Sequence, residues 1–212
     1  MELKRVINQG NELMQQRCTI RKYDPSVKIS KEVMANIIQD AITAPSSLNL
    51  QPWRFVVIDT EEGKKLIEPY MMFNRPQWET SSAIVAVFAD TQNAGYAEEI
   101  LAADVKYGLK TEEMKDSYIE KIKMFMSSYT PERQANSLML DCGFVIMQFM
   151  LAAKTYGYDT NPIGGYMRKE LSTALDMDTD RYLPVLLLSI GKAAEEAKDS
   201  VRLSVDQITQ WR

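Results

Sequence analysis

The chain has 212 residues, 45% apolar and 25% charged, with a formal net charge of −4 from 25 Lys+Arg against 29 Asp+Glu. That length gives one domain enough interior for a sizeable core, and the dispersed, mildly acidic charge argues against nucleic acid as a partner. There is no histidine, which removes Ser-His and Cys-His triads and imidazole-based catalytic zinc, so an enzyme built on this chain hands its hard chemistry to a cofactor.

In chain order, Leu3, Val6, Ile7, Leu13 and Met14 give residues 3–16 a helical period. The charged first ten residues carry no apolar run, so no signal peptide is read there. Arg17 to Pro25 is a polar connector. Ser30 is placed as the N-cap of a helix through Val33, Ile37, Ile38 and Ile42, stopped by Pro45-Ser46-Ser47. Trp53 to Asp59 is a strand, and Thr60 with Glu61 and Glu62 opens another helix. Ile84 to Ala89 is a second, buried strand. Residues 96–128 read as mostly helical, with a break near Gly108. Pro131 opens a helix running to about Tyr156. Its apolar stretch, Leu138 to Ala153, is interrupted by Asp141, Gly143 and Gln148. It falls short of the roughly 20 apolar residues a bilayer needs, so it reads as a helix buried on most sides, and no membrane partner is expected. Tyr158 to Asn161 is a short strand, Arg168 to Leu175 a short helix, and Tyr182 to Ile190 a third strand ended by Gly191. Ala197 to Arg212 lacks periodicity and reads as an arm. Strands alternating with long helices argue α/β or α+β, in one domain over 1–212. The two cysteines, Cys18 and Cys142, form no CxxC pair, which points to a reducing, cytoplasmic compartment.

Four places carry candidate chemistry. Arg17-x-x-x-Arg21 with Lys22 concentrates positive charge in one short connector, and Thr19 adds a hydroxyl; this suits a phosphate, because guanidinium donates in a fork to anionic oxygens. On that segment alone, a solvated basic turn is the better reading. Ala44 to Trp53 is a loop dense in hydroxyl and amide groups, fixed by Pro45 and Pro52; an ordinary helix-to-strand loop reads equally well. Asn161-Pro162-Ile163-Gly164-Gly165-Tyr166 offers paired glycines that let backbone approach a flat ligand, or else a plain tight turn. Lys198 and Arg202 are by themselves two surface charges. No GxGxxG or GxxxxGK[ST] stretch exists.

Taken in order, R-x-x-x-R-x-Y near the start, A-P-S-S-x-N-x-Q-P-W-x-F about 25 residues later, P-I-G-G-Y past residue 160 and a late basic residue resemble the nitroreductase family of flavoproteins. The resemblance covers nearly the whole chain. It implies an α+β fold with a central, mostly antiparallel sheet wrapped by helices, and a C-terminal arm (197–212) exchanged in a homodimer with FMN at the interface. The greasy helix 138–153 fits such a dimer, although burial within one chain explains it as well. By the same resemblance, Arg17, Cys18, Thr19 and Arg21 hold the FMN phosphate, ribityl chain and pyrimidine edge. Pro45, Ser46, Ser47 and Asn49 come from the other subunit. Asn74 hydrogen-bonds the pyrimidine, Ile163-Gly164-Gly165 brings a backbone N–H to flavin N5, and Arg202 meets the phosphate.

Some positions depart from the family. Cys18 stands where His, Arg or Ser is common, Gln77 where some members have a Lys that contacts flavin or nicotinamide, and Gly164 where some have an acid. Ser200 replaces a Lys, with Lys198 the nearest substitute. These put nicotinamide preference and substrate range in doubt more than FMN binding. The implied reaction is ping-pong, with NADH or NADPH as reductant and a small acceptor, a nitroaromatic or quinone, as oxidant. Flavin N5 carries it, so neither a catalytic side chain nor a metal is assigned. Dehalogenation, metabolite oxidation or non-catalytic flavin binding are the alternatives. A substrate lid is placed within 107–131, with Tyr129 a pocket candidate, although most methionines and aromatics there are expected to be helix core.

Overall fold

The computed structural model describes residues 9–212. The first part of the N-terminal helix read at 3–16, with Leu3, Val6 and Ile7, lies outside them; its remainder is α1, Gln9–Gln16. Four strands, β1 (Trp53–Ile58), β2 (Ala83–Asp90), β3 (Asp159–Ile163) and β4 (Tyr182–Gly191), form one sheet in the order β1-β2-β4-β3. Every neighbouring pair is antiparallel. A register shift at Val87/Phe88 against β4 adds a local bulge.

β2 is buried along its whole length because both sheet faces are covered. Its side chains alternate, as a strand's must. Ala83, Val85, Val87 and Ala89 pack with α2 (Lys31–Ala41) and α7 (Pro131–Thr155). Ile84, Ala86 and Phe88 join a second core under α3 (Glu61–Ile67), α4 (Arg75–Thr80) and α8 (Arg168–Ala174), through Ile67, Trp78 and Leu171. Ser30, Thr60, Thr111 and Thr130 each cap a helix, accepting from a backbone N–H three residues on.

The stretch read as mostly helical over 96–128 is two helices, α5 (Ala97–Lys106) and α6 (Glu112–Ser127). They part at Gly108, whose φ of +72° favours glycine. The two pack on each other around Leu50, Ala97, Leu101 and Ile122, away from the sheet. The expectation that the methionines and aromatics of 107–131 are helix core is corrected here. Ile122 is the one fully buried residue of α6, and Met114, Tyr118, Met124 and Phe125 are exposed. A helix that packs only on its hairpin partner and a loop has one narrow buried stripe. α7 also differs from a helix buried on most sides. It buries Leu138, Cys142, Val145, Phe149 and Ala153 against the sheet but exposes Leu140, Phe144 and Met147. By length and composition it could cross a membrane, yet its sheet-facing side is the core of this fold. After β4 the chain continues as an exposed tail with one short helix, α9 (Val205–Ile208).

Candidate active site

The basic connector is laid against the edge strand β3. Thr19 pairs with Thr160 in a parallel bridge, and the Ile20 N–H donates to the Thr160 carbonyl at 3.2 Å. Tyr23, fully buried, locks the far end: its hydroxyl donates to the Ile20 carbonyl at 2.9 Å and meets Ser189 Oγ at 2.9 Å. Burial raises the Tyr23 phenol well above its ordinary range, so it stays neutral. The chain leaving β4 runs beside this connector. Asp24 N–H donates to the Lys192 carbonyl, Ala194 N–H to the Lys22 carbonyl, and Arg21 N–H to Glu195 Oε1 at 2.8 Å. That path carries residues 198–202 over the connector.

The result is a cavity of about 740 Å³ whose walls include Arg17, Cys18, Thr19, Arg21, Lys198, Ser200 and Arg202. Two segments some 180 residues apart thus bring four cations to one place, with Asp199 the one acid on the wall. Among the described residues none of the four side chains is ion-paired. Unpaired like charges held together favour an anion between them. Lys198 stands beside Arg202 on this wall, where the sequence left it as a substitute for the missing lysine. Cys18 is half-buried there, with Sγ 3.9 Å from the Gln15 carbonyl.

At the other end of β3, Ile163 is buried and Gly164 and Gly165 turn the chain out of the sheet. This turn meets the segment before α4. Met71 bridges Tyr166, Met72 N–H donates to the Gly165 carbonyl at 3.3 Å, and Met167 N–H to the Tyr70 carbonyl at 2.8 Å. Asn74 sits at φ +66°, a left-handed position that asparagine tolerates, and its Oδ1 accepts from Gln77 Nε2 at 3.1 Å. A Cβ on Gly165 would lie 3.3 Å from the Phe73 ring and 3.6 Å from Asn74 Nδ2, whereas one on Gly164 would meet nothing. Gly165 is therefore the position where close packing asks for glycine. Asn74, Gln77, Ile163, Gly164 and Gly165 form one cluster, and β3 joins it to the basic cavity. Thr160 Oγ1, buried on that strand, has no hydrogen-bond partner among the described residues.

Pro45, Ser46, Ser47 and Asn49 are elsewhere. Their loop enters β1, at the opposite edge of the sheet. Trp53 aligns through Ala89 with Leu183, while Thr160 aligns with Ile190. Across three strand spacings and six residues along the strands, Trp53 at the end of the loop lies roughly 25 Å from Thr160, and Thr19 is on the far side of that strand. The loop is strained: Leu48, Asn49 and Gln51 have φ of 54°, 56° and 43°, a conformation asparagine tolerates but one that costs of order 1 kcal/mol or more at each of Leu48 and Gln51. It is held accordingly. Ser46 Oγ accepts from Gln51 N–H at 3.0 Å. Both oxygens of Asp141, a buried residue of α7, accept from Ser47 N–H at 3.1 Å. Arg54 Nη1 donates to the Gln51 carbonyl at 3.0 Å, and Arg54 is itself paired with buried Asp90 at 3.1 Å. Leu50 is packed against α5 and α6. The sequence reading passed over Asp141 as an interruption of the apolar run; a lone acid at a core-facing position of that run was the available signal. On the outer side of the loop, Asn49, Gln51, Arg54, Tyr96, Glu99 and Asp104 line a second cavity of about 420 Å³. Tyr129 lines only a small void beneath the loop, with Ser47, Met126 and Asp141.

The model of the nitroreductase family matches residues 14–192, nearly the whole of the described chain. The chain belongs to the nitroreductase family. Among its relatives, "Putative NAD(P)H nitroreductase YdgI" of Bacillus subtilis is 48% identical over 205 residues, 97% of this chain and 98% of that one. The "CLA biosynthesis enone reductase" of Lactiplantibacillus plantarum is 35% identical, over 97% of this chain and 95% of that protein. A crystal structure titled as a putative nitroreductase in complex with FMN, from Exiguobacterium sibiricum, superposes with a TM-score of 0.94 at 45% identity, covering 97% of this chain and 98% of that chain. The α+β nitroreductase-like fold expected from the motifs is thus the fold found, with a sheet that is antiparallel throughout.

Proposed function

We propose that this nitroreductase-family chain is an FMN-dependent NAD(P)H oxidoreductase that reduces organic acceptors, nitroaromatics and quinones among them, two electrons at a time. The observation that carries the reading is the cavity walled by Arg17, Arg21, Lys198 and Arg202, with Thr19 as a further donor. Its charge and donor set fit the phosphate of a flavin nucleotide. In this reading Arg17, Cys18, Thr19, Arg21 and Arg202 receive the phosphate and ribityl chain, with Lys198 beside them. Asn74 and Gln77 face the pyrimidine edge, and the turn Ile163-Gly164-Gly165 offers backbone N–H to the ring. FMN, when bound, supplies the two-electron carrier between nicotinamide and acceptor. The protein's residues bind it, orient it and hold positive charge near its anionic parts. No side-chain acid is required, in keeping with a chain that lacks histidine.

A homodimer belongs to the same proposal. Pro45, Ser46, Ser47 and Asn49 are far from the basic cavity of their own chain, so they serve the site of a second copy. Leu140, Gly143, Phe144 and Met147 form an exposed stripe on α7 at helical spacing, and the tail leaves Val201, Leu203, Val205, Ile208 and Trp211 exposed. Both surfaces suit a partner of the same kind. Free Cys18 and Cys142 suit a reducing, cytoplasmic compartment.

The purified protein should be yellow, bleach anaerobically with NADH or NADPH, and recover on addition of a nitroaromatic or quinone. Arg17→Ala and Arg202→Ala should each weaken FMN binding by about tenfold or more, since a charge-assisted hydrogen bond is worth roughly 1.5–3 kcal/mol. Unchanged FMN affinity in both variants would remove the phosphate assignment. The 35% identical enone reductase favours a second reading in which the acceptor is an α,β-unsaturated ketone. Faster reoxidation by an enone than by nitroaromatics or quinones would select it.

A further inference from the structure

We propose that Asp141 is a positioning residue for the flavin site, holding the Ser46–Gln51 loop in the left-handed form that presents Ser46, Ser47 and Asn49 to the neighbouring subunit's flavin. The proposal rests on the functional reading above, in which that loop contacts FMN across a dimer.

Three features of the geometry support it. The loop has three non-glycine residues at positive φ in four positions, Leu48, Asn49 and Gln51, a conformation that reverts unless its surroundings impose it. Asp141 aims both carboxylate oxygens at one loop group, the Ser47 N–H, immediately before the left-handed residues. The carboxylate sits on α7, whose buried face packs against the sheet, so the loop is tied to the main core. Arg54 fixes the other end, through the Gln51 carbonyl, and is itself fixed by Asp90. The loop is thereby pinned at both ends by buried acids, one directly and one through an arginine.

A core aspartate that served packing alone would be better replaced by an apolar residue. Asp141 is buried, and burial raises its carboxyl above the ordinary range, opposed by the Ser47 N–H. No lysine or arginine contributes to that balance. The titratable groups around it are Cys142 on the same helix, whose thiol is pushed up to about 12 by burial and by Asp141, and Tyr129 across the small void. Arg54 acts on Cys142 from β1. None of these provides a cation against Asp141, so ionising it here costs stability, as positioning groups often do.

The substitution that separates roles is Asp141→Asn. It keeps shape and one acceptor for Ser47 N–H but removes the charge and the symmetrical grip. FMN dissociation constants of the holoprotein, measured by flavin fluorescence from pH 8 down to the lowest pH at which the protein stays folded, beside thermal melting, give the readouts. Wild type should lose FMN affinity as pH falls through the raised Asp141 range, beyond the loss caused by protonating the FMN phosphate. Asp141→Asn should melt no lower than wild type, bind FMN about five- to tenfold more weakly at pH 8, and show only the phosphate-linked part of the pH dependence. Asp141→Asn with wild-type affinity and pH profile would overturn the proposal. If that variant misfolds, Asp141→Ser, whose shorter side chain cannot span to the Ser47 N–H, takes its place with the same expected weakening. A wild-type protein that binds no FMN would instead sink the functional reading, and the Arg17→Ala variant reports on that independently.

Discussion

Asp90 illustrates how much one buried side chain can organise. It ends β2 with no exposed side-chain surface, and it receives Arg181 through Nε at 2.9 Å and Nη2 at 2.8 Å, Arg54 Nη2 at 3.1 Å, and the Gln92 N–H at 2.9 Å. Arg54 in turn lies over the Tyr96 ring at 4.5 Å. Burial pushes the Asp90 carboxyl up, but the hydrogen bonds from Arg181 and Gln92 and the two guanidinium charges overcome it, and the net direction is down. A carboxyl whose folded pKa is depressed stabilises the fold at any pH above its unfolded value, near 3.9, and that contribution fades as pH falls through the folded value. Acid unfolding of wild type should therefore include an Asp90 component below about pH 4. Asp90→Ala should destabilise by roughly 3–5 kcal/mol at neutral pH, because it strands two partly buried guanidinium groups. Its melting point should drop by about 6–20 °C for a domain of this size, and its acid limb should be shallower than wild type's. A melting point within a few degrees of wild type would show that the two arginines are solvated rather than anchored.

At the scale of elements, Gly108 gives a sharp prediction. Its φ of +72° separates α5 from α6, and the space around its Cβ position is open. Gly108→Ala should therefore destabilise by about 1 kcal/mol through backbone strain alone, without steric clash, seen as a fall of about 2–4 °C in melting temperature. The break at Gly108 was legible because a glycine inside a long polar helical pattern has few other uses. The three long strands were legible too, since β-branched and aromatic runs entering a doubly covered sheet leave a continuous apolar trace. β3 was found two residues early in its end: the structure carries it on to Ile163, through Pro162. Proline is tolerated there because β4 is the one strand beside β3 in the sheet, and the connector on its other edge bonds at Thr160 and not at Pro162. α4 had no periodic signal, being six residues with Pro76 in its first turn. The buried state of α6 was misread because composition reports the apolar residues of a helix but not how many neighbours it has. For the candidate site, the chemistry of Arg17 to Arg21 was visible, but its meeting with Lys198 and Arg202 depends on the path after β4, which no local pattern encodes. The likeness to a family supplied that link. Asp141 gave a signal without a meaning for a related reason: a lone acid in an apolar run marks an interruption until the loop it grips is placed beside it.

At the scale of the molecule, the proposed site is divided between two edges of one sheet. The basic cavity and the Gly164–Gly165 turn border β3, and the strained loop borders β1. One chain cannot fold β1 round to β3 with β2 and β4 between them, so joining the halves takes a second copy related by a two-fold axis. In the proposed dimer α7 forms that contact, since it packs on one sheet face and turns Leu140, Phe144 and Met147 outward. Phe144 is 44% exposed in the single chain, so its replacement by a charge disturbs little of the chain's own core. In a dimer the same charge is desolvated without a partner, a penalty of several kcal/mol that acts twice across a two-fold interface. Wild type should therefore run in light scattering at twice the 24.2 kDa chain mass, and Phe144→Glu should run as a monomer with an unchanged far-ultraviolet spectrum. The monomer should also be colourless, since it keeps the cations of the phosphate cavity but loses the loop of the second copy. A Phe144→Glu protein that stays dimeric would move the interface off this face of α7. A monomer that stays yellow would show that the basic cavity and the glycine turn hold the flavin without Pro45, Ser46, Ser47 and Asn49, and the shared-site reading would fall.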